Sequence, residues 1–563
     1  MGLHCAQHHQ PVFLRTNFIK SPGGFEMKRR AISLILLLGS GAVFAQFPPQ
    51  IKNVVVIFQE NRTPDNLFHL LTPACPLPEG VDALDACIPA PVTTSCYDIS
   101  PCGLSDQKGT PPVPVTLKAV PLSGSVDPDH SHNGFNNMCN PDPVTLKCRN
   151  DGAWKTSSPA GSSYGYVANT PVTNYDGSAG HLLEPYLIFA KQYGWANYMY
   201  QTNQGPSYPA HQFMFAGTSA PTAADDAKAT FVSENFNNKV LSDNAGCLAL
   251  EGATNSVISP AVNTPPPGCT LYADSSVQEC PVKNTALVYP TDPVGTFCYP
   301  HESMANILDP HSITWKYYAP SAGSIWTAPD SIKAICEPAW VNPNNDPTSA
   351  LECTGKEWNA NVDVKNLGTD ILRDIANCDL ARVNWVIPNG AWSDHAGPND
   401  LYGPSWVTAV VNAIGSNKRC AAGTKDAGQT YWENTAIVIT WDDWGGWSDN
   451  QPARYASKLP CSSTDCQGDY QYGFRVPLIV VSAYTPAGYI NNVPHDFGSV
   501  LRMIEGINHL PEGQLGFADK RATTDLSGFF SLTQPRAFTV VPAEKDANFF
   551  LTYTGAVVDP DDY

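Results

Sequence analysis

Five short stretches of this chain are apolar almost without interruption: NVVVIF at 53–58, ITWKYY at 313–318, VNWVI at 383–387, TAIVITW at 435–441 and PLIVVS at 477–482. A strand with one wetted face alternates apolar and polar side chains, so uninterrupted runs belong to strands covered on both faces, as in parallel sheets. Three further stretches repeat apolar residues at helical spacing. They are Leu183, Tyr186, Leu187 and Ala190; Val407, Val410, Val411 and Ile414; and Phe497, Val500, Leu501 and Ile504. The second opens on Pro404-Ser405 and closes near Gly415, as helix boundaries do. Strands alternating with helices in this way predict an α/β domain with a largely parallel sheet.

Charged residues make up only 15% of the 563, while Pro (50) and Gly (42) are abundant, which suits a packed body carrying long, turn-rich loops. Two Cys/Pro-rich stretches, near 72–150 and 240–300, are expected to be disulfide-pinned insertions in a single domain over 46–563. Ahead of it, MKRR at 27–30, the apolar run AISLILLL and the small residues Val43 and Ala45 form the pattern of a cleaved export signal within residues 1–45. The run is too short to span a bilayer, so the expected location is periplasmic or extracellular, without stable membrane insertion. The chain holds 33 basic and 52 acidic residues, and residues 1–45 contain five of the basic ones and one acidic one. The exported chain is therefore strongly acidic and a poor partner for nucleic acid. Its cysteines are expected to form disulfides, with Cys96/Cys102, Cys139/Cys148 and Cys461/Cys466 close enough in sequence to bridge locally.

Ligands of open parallel sheets bind beyond the carboxyl ends of strands. Two strands end there in cation-seeking groups: Glu60 and Asn61 after the first, Asp442 and Asp443 after TAIVITW. Adjacent buried carboxylates repel, and a divalent cation would turn that repulsion into coordination by hard oxygen ligands. The alternative is that Asp442-Asp443 cap a turn with Gly445-Gly446. In GPSYPAHQFMFAGTS (205–219), Ser207 and His211 stand four apart, either as nucleophile and partner or as turn residues. Further histidines occur as His395 in SDHAGPND and as His130 and His132 in DPDHSHNGFNN. Two familiar signatures fail. GSSYG at 161–165 has no strand before it, so Ser163 lacks a nucleophile elbow, and HESMA at 301–305 has Ala305 where a zinc-protease helix needs histidine.

Six segments, FQENRTPDNLF, GPSYPAHQFMFAGTS, SDHAGPNDLYGPSWVTAVVNAI, TAIVITWDDWGGWSDN, YGFRVPLIVVSAY and HDFGSVLRMIEGI, follow one another in the order seen in a bacterial phosphoesterase family. From about residue 50 to 515 the chain resembles that family, which includes phosphatidylcholine-type phospholipases C and an acid phosphatase. The resemblance implies a three-layer α/β sandwich similar to alkaline phosphatase. It also implies one divalent metal ion on Glu60, Asn61, Asp442, Asp443 and Ser207, with Ser207 as the nucleophile. His395 is then expected to contact the phosphoryl group or move a proton, and His130 or His132 to be a further active-site histidine. Two departures stand out: Asp449-Asn450 where members have Asp-His, and Pro209-Ala210-His211 where members have Pro-Asn-Arg. His211, when protonated, could supply the positive charge of that arginine.

The expected chemistry is transfer of a phosphoryl group to Ser207 and then to water, on a phospholipid or another phosphate ester. Trp441, Trp444, Trp447 and Tyr208 offer either a cation-π surface for a headgroup or ordinary packing. A phospholipase C, an acid phosphatase and a non-catalytic secreted binding protein on the same scaffold remain the readings to separate.

Overall fold

All five apolar runs become strands of one eight-stranded sheet. The computed structural model describes residues 47–75, 95–124, 126–144, 147–234, 245–249, 251, 253–260, 270–271, 277–283, 297–341, 350–454 and 470–558. The export signal and Cys461/Cys466 lie outside them. In chain order the strands are β1 Asn53–Gln59, β2 Gly194–Ala196, β3 Trp315–Tyr318, β4 Val362–Asp363, β5 Val383–Val386, β6 Thr435–Trp441, β7 Leu478–Ser482 and β8 Tyr489–Asn491. Across the sheet they run β4-β3-β5-β1-β6-β7-β2-β8. β1 pairs in parallel with both β5 and β6, whereas β7 is antiparallel to β6 and to β2, so β7 alone opposes the common direction. The edge strands β4 and β8 are only two and three residues long, which limits pairing with other chains.

Every residue of β1 is buried. Its side chains alternate between two covered faces, and each Val, Ile or Phe removed from water contributes about 1.5–3 kcal/mol. On one face, the Phe58 ring lies 5.4 Å from Phe497 of the helix Phe497–Ile507 and 4.7 Å from His211 of the helix Ser207–Ala216. On the other, Gln59 is in register with Trp441, which packs 5.3 Å from Tyr186 of the helix Glu184–Gln192, itself packed against the helix Gly403–Ser416. Helices therefore cover both faces. The residues at helical spacing that the sequence singled out are the buried ones in each case.

The Cys/Pro-rich stretches are more integrated than their composition suggests. Phe135 and Met138, from the helix His132–Cys139, form a second apolar cluster with Leu117, Tyr164, Trp444 and Phe474. Strands 231–234, 254–260, 270–271 and 277–283 make a separate four-stranded antiparallel sheet. Disulfides join Cys75–Cys96, Cys139–Cys148, Cys247–Cys298, Cys336–Cys353 and Cys378–Cys420. The expected Cys96/Cys102 bridge does not form. Backbone pairing of Cys75 N to Tyr97 O and Tyr97 N to Pro73 O brings Cys75 to Cys96 instead, and Cys102 is disulfide-bonded elsewhere. Nearness in space, set by this pairing, overrode nearness in sequence. Among the described residues, no helix is long and apolar enough to cross a membrane.

Glu505, on the helix that covers Phe58, gives the fold a pH dependence. Burial, reinforced by the Asp519 carboxylate, pushes its carboxyl up to about 8. Between the ordinary glutamate range and pH 8 the folded chain holds a proton that the unfolded chain has released, so stability falls as pH rises through that window. Chemical denaturation from pH 5 to 9 is expected to show this decline, with a shallower slope in Glu505→Gln. An equal slope in the variant would exclude Glu505 as its source.

Candidate metal centre and active site

β1 and β6 are adjacent and parallel, so their carboxyl ends deliver Glu60-Asn61 and Asp442-Asp443 to the same place. The Asp442 backbone N–H donates to the Gln59 carbonyl at 2.9 Å, and the Asn61 N–H donates to Asp442 Oδ1 at 2.8 Å. Asn61 sits at φ 58°, the left-handed region that asparagine tolerates. Gly445 is needed beside it, because a Cβ there would come within 2.1 Å of the Asn61 carbonyl oxygen. Asp443 caps the turn, its Oδ1 accepting from Gly445 N–H at 2.6 Å, and its Oδ2 lies 3.4 Å from the Ser207 hydroxyl.

Ser207 is the first residue of the helix Ser207–Ala216, following Pro206, and so begins a helix instead of filling a turn. Its Oγ lies 3.4 Å from Glu60 Oε2 and 3.5 Å from Asn61 Oδ1, and none of these residues is exposed to solvent. The positive end of the helix dipole faces the same point.

One turn along that helix, His211 points its Nε2 at Glu60 Oε1, 3.2 Å away. Its other ring nitrogen meets Tyr317. The Tyr317 hydroxyl donates its proton to the Trp326 carbonyl at 2.8 Å, so the 3.4 Å contact with His211 Nδ1 places that hydroxyl as acceptor of an Nδ1–H. A neutral His211 presents a lone pair beside Glu60, as a metal ligand does, whereas an imidazolium donates to the carboxylate directly. Ligand atoms of Glu60, His211 and Asp442 all lie within 4.8 Å of one another, fully buried. Oxygen and imidazole donors converging this closely fit a divalent metal, and a ligating histidine ordinarily donates its second N–H outward, as His211 does.

His130 and His132 part company here. His130 Nδ1 donates to the Pro128 carbonyl at 2.8 Å, so its Nε2 accepts from Asn61 Nδ2 at 2.9 Å. That fixes the amide with Oδ1 turned toward Ser207. The ring nitrogens of His132 are held by the Gln204 carbonyl and Asn136, which tie the helix His132–Cys139 to the loop preceding Ser207. His395 stands beside His130 with ring centroids 5.6 Å apart and is the most open of the group, at 6% exposure. Its loop is pinned to β1 by Asp394 N–H on Gln59 Oε1 and by Arg62 Nε on the Asp394 carbonyl, at 3.0 and 2.7 Å. Burial raises the Asp394 carboxyl to about 6, opposed by hydrogen bonds from Tyr186 and Trp441 and by the Arg62 charge.

The remaining expectations resolve as packing. Trp441 donates to Asp394, Trp444 belongs to the second apolar cluster, Trp447 lies under the Arg62 guanidinium, and Tyr208 bonds Ser331. Asp449 and Asn450 are committed to a buried knot in which Arg475 Nη2 lies 3.0 and 2.9 Å from Asp449 Oδ2 and Asn450 Oδ1. Trp326, which sequence reasoning passed over, also borders the site, its ring 6.2 Å from that of His211 and 6.3 Å from that of His395. It follows the parallel strand β3, so the strand-end rule that led to Glu60 and Asp442 was also the signal for it.

Fold and centre together define a class: an α/β protein whose parallel strands carry an oxygen-rich candidate cation site, with a serine hydroxyl at its edge, to one end of the sheet. The model of the Phosphoesterase family matches residues 51–511, and the chain belongs to that family. Its similar curated relatives include a non-hemolytic phospholipase C of Pseudomonas aeruginosa, 23% identical over 186 residues that cover 29% of this chain and 25% of that protein. Another, from Burkholderia pseudomallei, is 28% identical over 152 residues, covering 24% and 20%. Phospholipase C B of Mycobacterium tuberculosis is 23% identical over 179 residues, covering 30% and 32%. The matched stretches thus span a third or less of the length of each of these relatives.

Proposed function

We propose that this protein is an exported, metal-assisted hydrolase of phosphate esters, built as one catalytic domain on an alkaline-phosphatase-like sandwich, with Ser207 as its nucleophile. The observation that carries this reading is the convergence of the Ser207 hydroxyl with Glu60, Asn61 and Asp443 at 3.4–3.5 Å. Family membership and the phospholipase C relatives support the reaction class, and the disulfides suit an oxidising compartment.

Glu60, Asn61, His211, Asp442 and Asp443 would hold the cation, which when bound favours the serine alkoxide and withdraws charge from the phosphoryl oxygens. Ser207 Oγ forms the new bond to phosphorus as the ester oxygen departs on the opposite side, and His395 protonates that oxygen. Water then attacks the phosphoserine, its proton passing to His395, and the Ser207 oxygen leaves. His130 keeps the Asn61 carbonyl oxygen directed at the reacting centre. Burial excludes competing water from all of these groups.

His395→Asn is expected to lower kcat by about 10²–10⁴-fold on an alkyl ester, and much less on a nitrophenyl ester whose leaving group needs no proton. Equal losses on both would remove His395 from the role of acid. His130→Ala is expected to weaken metal binding by about 10–100-fold in calorimetric titration, since the Asn61 amide loses its orienting partner. Unchanged affinity would detach His130 from the centre.

The relatives favour a phospholipid diester as substrate. A phosphomonoester is the second reading, favoured by the placement of Trp441, Trp444, Trp447 and Tyr208 in packing roles instead of around a headgroup. Assay of the metal-loaded protein on phosphatidylcholine vesicles and a soluble monoester separates them. Turnover of neither would favour a binding protein on the same scaffold and sink the enzymatic reading.

A further inference from the structure

The loop that leads into Ser207 is buried, and its carbonyls need donors. Residues 203–206 are all enclosed, and no side chain caps the helix Ser207–Ala216 that they open. Side-chain amides supply the missing bonds. Gln201 Nε2 donates to the carbonyls of Asn203 and Gly205, both at 3.1 Å, and Asn203 Nδ2 donates to those of Gly205 and Pro206 at 2.7 and 3.1 Å. The other end of the Gln201 amide turns to the acidic pair: its Oε1 accepts the N–H of Trp444, the residue after Asp443, at 3.0 Å. One fully buried side chain therefore ties the loop of the nucleophile to the loop of the carboxylates, across 243 positions of sequence.

These three bonds admit one orientation of the amide. Flipped, its oxygen would face two carbonyls and its NH2 group would face an N–H. The backbone beneath it is fixed as well, since Gln201 N–H donates to the Phe474 carbonyl and Gly473 N–H donates to the Gln201 carbonyl, both at 3.1 Å. Gly473 lies so close that a Cβ there would come within 2.2 Å of Gln201 Cγ. The carboxylates have supports of their own: Asp442 N–H is held by the Gln59 carbonyl, and Asp443 Oδ1 by Gly445 N–H. Ser207 Oγ stands 3.4–3.5 Å from Glu60, Asn61 and Asp443, so a shift of its loop changes the point from which it attacks and leaves the carboxylates where they are.

We infer that Gln201 is a positioning residue for the reaction, setting the Ser207 hydroxyl against the cation site by fixing one loop on the other. This rests on the phosphoesterase reading of the same site. A nucleophile misplaced by about 1 Å through a change away from the chemistry loses about 10²-fold in rate.

Gln201→Met, which keeps the length of the side chain and removes all three bonds, tests it. In the metal-loaded protein, kcat on nitrophenyl phosphate or bis(nitrophenyl) phosphate is expected to fall by about 10²-fold, with KM and calorimetric metal affinity as in the wild type. Gln201→Asn keeps an amide that is one methylene too short to span both loops. It is expected to lose kcat in the same pattern by a smaller factor, and it supplies the reading if the methionine variant does not fold. Asn197→Ser is the control for stability alone: that buried amide, on the same stretch of chain, donates to the Cys96 carbonyl at 2.8 Å and to Asn492 Oδ1 at 2.6 Å, away from the centre. Its thermal transition should fall while kcat holds. Gln201 variants that lose thermal stability but keep kcat, or an equal loss of kcat in Asn197→Ser, would overturn the proposal. Weakened metal binding in the Gln201 variants would also overturn it, by making the residue a support of the carboxylates instead. Turnover of neither ester by the wild type would sink the phosphoesterase reading, and this inference with it.

Discussion

Ser207→Ala is expected to lower turnover of any phosphate ester by about 10⁴-fold or more while leaving the fold and the bound metal in place. On the proposed mechanism the attacking group has no substitute: the helix that starts at Ser207 presents one hydroxyl to Glu60 and Asp443, each 3.4 Å away. The residual rate reflects what the cation and the surrounding donors contribute without a covalent step. The variant loses a single buried hydroxyl, so its thermal transition and its metal content, measured together, should match the wild type. Activity within tenfold of wild type would mean that water attacks directly and that Ser207 only lines the site. Loss of metal along with activity would make the hydroxyl a ligand first.

The second large effect concerns the carboxylates. Chelation is expected to abolish turnover and to lower thermal stability, because Glu60, Asp442 and Asp443 are left to repel one another in a site from which solvent is excluded. Restoring a divalent metal at a hundredfold excess over its dissociation constant should return about 2.7 kcal/mol of stability together with the activity. Asp442→Asn separates this account from the turn-cap alternative. Asp442 Oδ1 accepts the Asn61 N–H, a bond that an asparagine oxygen preserves, so a purely structural Asp442 predicts a variant as stable as the wild type or more so. A metal-binding Asp442 instead requires affinity to fall by more than the about 100-fold typical of losing an outer partner. Calorimetry with the metal and denaturation of the metal-free protein read the two outcomes directly.

How much of this could be read from the sequence depends on how far each signal reaches along the chain. β1, β3, β5, β6 and β7 were legible because a strand buried on both faces leaves an unbroken apolar run, and the three helices because one face repeats. β2, β4 and β8 were not: strands of two or three residues carry no period, and they are added by pairing with a sheet that already exists. The strand-end rule pointed to Glu60, Asn61, Asp442 and Asp443, while Ser207 and His395 were visible as candidates that only family resemblance raised above turn or structural residues. What distinguishes His130 from His132 is a bond to an asparagine 69 positions away, against which local sequence is mute. His211 was read as a substitute for arginine beside the phosphate. The structure groups it with Glu60 and Asp442 as candidate metal ligands, through contacts with Tyr317 and Glu60 at sequence distances of 106 and 151. The tryptophans of the WDDWGGW segment look like a binding surface in one dimension and are filled in by Asp394, Phe474 and Arg62 in three.

The central claim is that one cation and one phosphoryl group meet at Ser207. Anomalous diffraction from crystals grown with a divalent metal and orthovanadate tests it most directly. The expected result is vanadium bonded to Ser207 Oγ, with a single metal ion liganded by Glu60 and Asp442 next to it. Vanadate bound away from Ser207, or a metal bound by neither carboxylate, would contradict it.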